Sequence, residues 1–211
     1  YAVTFLDTGL RNEGADILTI NGRGLDTAAA HLIAPVLADA DTVLIRKNFI
    51  ALMNTDGTDD QNGKVERINY GEDINGRVRI NTFGGEDNFF SDDTSTFVTL
   101  DGGNHNDTFQ IGQLFGSDRD KTTVKEGDEI ETNSTTQGFL SVGNSAPMVV
   151  YGGLGDDTFN VYSNKALTKL YGEENNDLFV VRAFIIDDGD DATEDNTLAG
   201  GGDTELFGGA G

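Results

Sequence analysis

Residues 151–162, YGGLGDDTFNVY, hold the groups with the most chemistry in them. Gly152, Gly153 and Gly155 form a turn that can take φ > 0 without a Cβ clash, Asp157 closes it with a carboxylate, and Phe159 follows two places on. Such a bend points carbonyl oxygens inward beside the carboxylate. Hard oxygens converging on one point suit Ca²⁺ better than any softer metal. Asp156 and the backbone at Gly153 and Gly155 complete the candidate ligands of this turn.

The phrase recurs. Residues 100–111 read LDGGNHNDTFQI, with Gly103, Asn106 and Asp107 at the same places, and residues 170–181 read LYGEENNDLFVV, with Asn176 and Asp177. Residues 82–91, TFGGEDNFFS, carry Asp87 and are one residue short between glycine and Phe90. Residues 206–211, LFGGAG, begin another copy. Gly84 and Gly102 are 18 residues apart, Gly152 and Gly172 are 20 apart. A short fixed period of strand–turn–strand units marks a stack of coils of about 18–20 residues, none able to bury its apolar face alone.

Stacking sets the chemistry. An aspartate that closes one turn lies about one strand spacing, ~4.8 Å, from the next copy, and a cation between layers takes oxygens from both. Asp157 over Asp177 is the best pair and Asp107 with Asp87 the second. Without metal the carboxylates repel one another, and with it the binding free energy becomes folding free energy. Phe90, Phe109, Phe159 and Phe179 are expected to stack as a ladder beneath the turns, which is also what a plain core would do.

Short strands must position these turns. Apolar runs at 17–20, 42–45, 49–53, 65–70, 139–142 and 148–150 read as strands, and at 77–81 Val78 and Ile80 alternate with Arg77 and Arg79. Residues 27–37 stay open between strand and helix, because alanines favour a helix that Pro35 cuts short. His31 there reads as a partly buried histidine rather than a ligand. One elongated repeat domain follows: irregular strands over 1–64, coils over 65–115, an insertion over 116–138, coils over 139–185, and an acidic loop with a truncated repeat over 186–211. The triplet 133–135 is formally a glycosylation sequon, a pattern that arises often by chance. The acidic run 187–195 could bind calcium, but reads more readily as a solvated loop, since like charges cluster freely on such segments.

Fourteen Lys and Arg against 37 Asp and Glu give a formal net charge of −23, which makes nucleic acid and anionic membranes poor partners. A hydrophobic content of 36% with 13 Phe argues against disorder. Without cysteine there are no disulfides and no thiolate metal chemistry, and two histidines cannot build a histidine-rich site. Bound metal is the obvious remaining staple. No apolar run approaches the ~20 residues that span a bilayer, so membrane insertion is not expected. Both ends read as cut from a longer polypeptide, and open coil ends leave end-to-end self-association, or pairing with neighbouring repeats, available.

The 151–162 stretch resembles the nonapeptide G-G-x-G-x-D-x-U-x of RTX (repeats-in-toxin) proteins, U being a large apolar residue. Gly152, Gly153, Gly155, Asp157 and Phe159 match its five fixed places; Gly102, Gly103, Asp107 and Phe109 match in the second copy, with His105 for the third glycine; Gly172, Asp177 and Phe179 match in the third. The resemblance implies an all-β, right-handed parallel β-roll or β-helix solenoid with edge insertions. It also implies a segment of a very large secreted bacterial adhesin or exoprotein, exported through a one-step channel and folded by external calcium. The function expected is structural, a stalk, spacer or fibre at the cell surface or outside it, with Ca²⁺ as the bound ion and no catalysis.

Two other functions compete. Parallel β-helices also host polysaccharide lyases and epimerases, for which Arg77, Arg79 or His105 would serve beside acidic residues. The acidic residues here sit at turns next to glycine rather than on strand faces, which disfavours that reading, and fold alone does not license it. A flat threonine array for ice or carbohydrate lacks its ladder, since Thr94-Ser95-Thr96 stands alone.

Overall fold

The computed structural model describes residues 2–5, 15–22, 40–53, 65–71, 73–120, 122, 124–184 and 204–208. The residues named above at 27–37 and 187–195, His31 included, lie outside that set. Among the described residues all regular structure is strand. The first part of the chain contributes β1 (Ala2–Thr4), β2 (Ile17–Asn21), β3 (Thr42–Arg46), β4 (Phe49–Met53), β5 (Val65–Asn69) and β6 (Arg77–Asn81). Then come β7 (Asn88–Ser91), β8 (Val98–Asn104), β9 (Thr108–Ile111), β10 (Leu114–Phe115), β11 (Thr132–Thr135) and β12 (Gly138–Ser141). The rest supplies β13 (Met148–Leu154), β14 (Thr158–Val161), β15 (Thr168–Glu174), β16 (Leu178–Val181) and β17 (Thr204–Phe207).

Two parallel sheets carry the repeat. One runs β17-β15-β13-β8-β6-β2, parallel throughout. The other holds β3-β7-β9-β14-β16, also parallel, and continues through β4 and β5 to β1. From β6 to β9, and again from β13 to β17, successive strands alternate between the sheets. Strand-to-strand register therefore aligns each copy of the motif with the next: Phe89 opposite Phe109, Phe109 opposite Phe159, Phe159 opposite Phe179. Leu206 and Phe207 pair with Leu170 and Tyr171, so the last copy also enters in register.

The alternation of apolar and polar residues decides what faces inward. Rows such as Ile20–Ile80–Leu100–Val150–Leu170 from one sheet meet Val43–Phe89–Phe109–Phe159 from the other in one core. Phe89, Phe109, Phe159 and Phe179 stack with ring centroids 4.7, 5.0 and 4.7 Å apart and planes within 11°. Each such pair adds about 0.5–1.5 kcal/mol beyond the area it buries.

The ladder begins at Phe89, not Phe90. The 82–91 copy is not short: Thr82 and Phe83 stand where the other copies have Gly102-Gly103, Gly152-Gly153 and Gly172-Glu173, and Gly84 pairs with Asn104. Asp87 thus falls 20 residues before Asp107, and Phe90 lies opposite Gln110 on the other face. Successive copies lie 20 residues apart wherever no insertion intervenes.

Two features break the parallel pattern. β4 pairs antiparallel with β3, to which a tight turn between Arg46 and Phe49 joins it, and also with β5. Within the 50 residues separating Asp107 from Asp157, β10, β11 and β12 form a small antiparallel sheet of their own. Asn133, the sequon asparagine, lies in β11.

Candidate metal centre

The four turns between β6 and β7, β8 and β9, β13 and β14, and β15 and β16 share one backbone course. Their second residues, Phe83, Gly103, Gly153 and Glu173, have φ of 68°, 94°, 109° and 71°; their fourth, Gly85, His105, Gly155 and Asn175, have 128°, 81°, 136° and 79°. The stack imposes the left-handed conformation whatever the side chain. Layers also come too close for a Cβ in the best-matched copy. One on Gly153 would strike the carbonyl of Gly103, and one on Gly155 the carbonyl of His105.

The sixth residue of every turn is an aspartate folded inward. Asp87, Asp107 and Asp157 are about 1% exposed. In each, Oδ1 accepts the backbone N–H of the aspartate one layer back: Asp87 N–H to Asp107 at 2.8 Å, Asp107 N–H to Asp157 at 2.8 Å, Asp157 N–H to Asp177 at 3.1 Å. Asp41 belongs to the same file, its N–H donating to Asp87 at 2.6 Å. Sequence reasoning passed over Asp41, although Asp41-x-Val43 repeats the aspartate-x-apolar phrase of the other turns.

The second oxygens have no donor. Oδ2 of Asp87, Asp107, Asp157 and Asp177 is buried and unpartnered in each case. All but that of Asp87 lie against the Cα of a glycine at the turn's first place (Gly102, Gly152 or Gly172), where a Cβ would collide with them. The carbonyl of the next layer's first residue faces the same space. Gly152 O comes within 2.9 Å of the Cβ place of Gly102, and Gly172 O within 2.8 Å of that of Gly152. A carboxylate oxygen and a carbonyl oxygen thus converge on one small gap in two successive layers. In the Asp87 layer Thr82 fills the gap, its hydroxyl donating to Gly102 O at 2.9 Å.

Burial has an electrostatic consequence. Desolvation pushes the carboxyl of Asp107 up to about 9, that of Asp157 to about 7 and that of Asp87 to about 6, with Asp177 raised as well. The donated N–H groups pull each value down, and neighbouring aspartates push Asp107 and Asp157 up further. Ionising these buried carboxyls in place is costly, and a bound cation relieves that cost.

The remaining candidates separate from this file. Asn106, Asp156 and Asn176 point outward and are exposed, forming their own ladder in the opposite sense: Asp156 N–H donates to Asn106 Oδ1 at 2.9 Å, Asn176 N–H to Asp156 Oδ1 at 3.0 Å. Among the described residues no three His, Cys, Asp or Glu side chains gather at one point. A cation in the gap would therefore draw on Asp107 or Asp157 and, for the balance of its shell, on carbonyls such as Gly152 O and Gly172 O. That donor set, all hard oxygen, fits Ca²⁺.

The opposite rim carries an amide and hydroxyl ladder in place of an aspartate file. There Asn144 and Asn164 donate to the carbonyls of Ala146 and Ala166, at 2.9 and 3.1 Å, and Thr94 exchanges hydrogen bonds with Ala146. The recurring Asn-x-Ala at 144 and 164 was the sequence signal for this second ladder, and it was not recognised. In comparisons with protein-family models, curated proteins and solved structures, nothing matches the chain.

Proposed function

We propose that this chain is a calcium-binding structural segment: a right-handed parallel β-roll of RTX type, belonging to a large secreted or surface protein and serving there as stalk, spacer or fibre. The observation that carries this reading is the row of buried, donorless Oδ2 atoms at Asp107, Asp157 and Asp177, two of them sharing a gap with a carbonyl from the next layer. Leaving such oxygens unpaired costs roughly 1–3 kcal/mol each, more when charged. A divalent ion removes that cost and couples its own binding to folding.

The same coupling makes a switch. Where calcium is scarce the aspartate file opposes stacking, and where it is millimolar the layers close, so the chain is exported loose and folds outside. Circular dichroism in strong chelator and then in millimolar calcium tests this. Strand signal that appears or sharpens on calcium supports the reading; identical spectra and identical thermal midpoints in both would sink it.

A further inference from the structure

A second polar site lies far from the aspartate file. Arg46, Phe49, Arg119, Val124, Lys125 and Asp128 line an open cavity of about 330 Å³, where the antiparallel β3–β4 corner meets the segment between β10 and β11. In a chain of net charge −23 this cavity is cationic: Arg46, Arg119 and Lys125 against one carboxylate, Asp128.

That carboxylate is already spoken for. Asp128 Oδ1 accepts from Arg67 at 2.6 Å, and Arg67 in turn lies over the Phe49 ring, 3.7 Å from its centroid. Beneath the cavity the fully buried Asp92 pairs with Arg46 Nε. Arg119 lies within electrostatic reach of both, close enough that the two guanidiniums disfavour each other. Its guanidinium lies over Phe115, 5.1 Å from the ring centroid. Among the described residues neither Arg119 nor Lys125 has a carboxylate at ion-pair distance. The Nε of Arg119 is buried without an acceptor.

We propose that this cavity binds a monosaccharide-sized organic anion, with its carboxylate held by Arg46, Arg119 and Lys125 and its ring against Val124. Planar guanidiniums meet a planar carboxylate in paired hydrogen bonds, and two of them, Arg46 and Arg119, line this cavity. The volume is at the small end of ligand pockets and the apolar wall is limited to two residues, which suits a sugar acid better than a larger apolar molecule. The site does not depend on the calcium reading, since none of its residues belongs to the aspartate file.

The test uses the whole chain in calcium, with glucuronate, glucose and inorganic sulfate titrated separately and followed by amide chemical shifts. Saturable binding of glucuronate, tighter than glucose or sulfate and mapping to residues around 119–125, is expected. Arg119→Gln and Lys125→Gln should each weaken it about tenfold while leaving the circular dichroism of the chain unchanged. Equal binding of glucose, equal binding of sulfate, shifts elsewhere on the chain, or no saturable binding at millimolar glucuronate would each overturn the proposal. Should either variant fail to fold, the ranking of the three ligands on the unaltered chain decides.

Discussion

The backbone N–H of Asp107 donates to Oδ1 of Asp157 at 2.8 Å, while Oδ2 of the same carboxylate is buried with no donor at all. One oxygen holds two layers together and the other is left over. Asp157→Asn separates these roles, because the amide keeps an acceptor for Asp107 and replaces the idle oxygen by a neutral group. In chelator the variant should be more stable than the parent by roughly 1–3 kcal/mol, and its gain in thermal midpoint on adding calcium should shrink. Thermal unfolding with and without calcium checks both signs; a variant that is less stable in chelator would show that the idle oxygen has a partner.

Thr82 is the one residue that fills the gap in its layer. Thr82→Gly should open it and add a calcium ion to the number bound per chain, counted by calorimetric titration. Gly152→Ala should do the reverse. Its methyl would press on Asp157 and on Gly172 O, costing about 1–3 kcal/mol by overpacking and removing one ion.

How far the letters of the sequence could lead is clear from these two positions. Gly152 was legible, because a full nonapeptide announces both the turn and the inward aspartate. Thr82 was not. The Gly84-Gly85 pair of the 82–91 copy lies two places later in its turn than Gly102-Gly103, so matching pair to pair misplaces the aromatic ladder at Phe90 by one residue. Strand pairing corrects it, since the twenty-residue register between Asp87 and Asp107 depends on hydrogen bonds that no local pattern encodes. The cavity beside Arg119 escaped for the same reason, being assembled from segments far apart in the chain, whereas the antiparallel return of β4 onto β3 rests on a local turn between Arg46 and Phe49.

Glu173 occupies a left-handed position, φ 71°, that Gly103 and Gly153 fill without strain. A non-glycine residue there costs about 1–2 kcal/mol, part of which glycine gives back through its freer unfolded chain. Glu173→Gly is therefore expected to stabilise the fold by about 0.5–1 kcal/mol, or a few degrees in thermal midpoint. A lower midpoint would mean that the Glu173 side chain makes a contribution larger than its backbone strain.

Acid should substitute for calcium. The folded chain holds protons on Asp87, Asp157 and Asp107 up to about pH 6, 7 and 9, against an ordinary value of 3.8. Stability in chelator must then fall as pH rises from about 4 through those values, because the unfolded chain has already released the protons that folding requires. Calcium displaces the same protons, so its affinity should climb over the same range. Thermal midpoints across that range measure the first effect and calorimetry the second. Asp157→Asn should flatten part of the slope, which distinguishes the buried file from the general repulsion of an acidic surface.

The most direct measurement is an anomalous difference map from crystals grown in calcium, phased on the protein alone. Peaks in the gaps beside Gly102 and Gly152 are expected, each at about 2.3–2.6 Å from an Asp107 or Asp157 oxygen and from a glycine carbonyl of the next layer. No peak is expected beside Thr82. Empty gaps at Asp107 and Asp157 in a well-ordered, calcium-saturated crystal would contradict the metal-riveted stack.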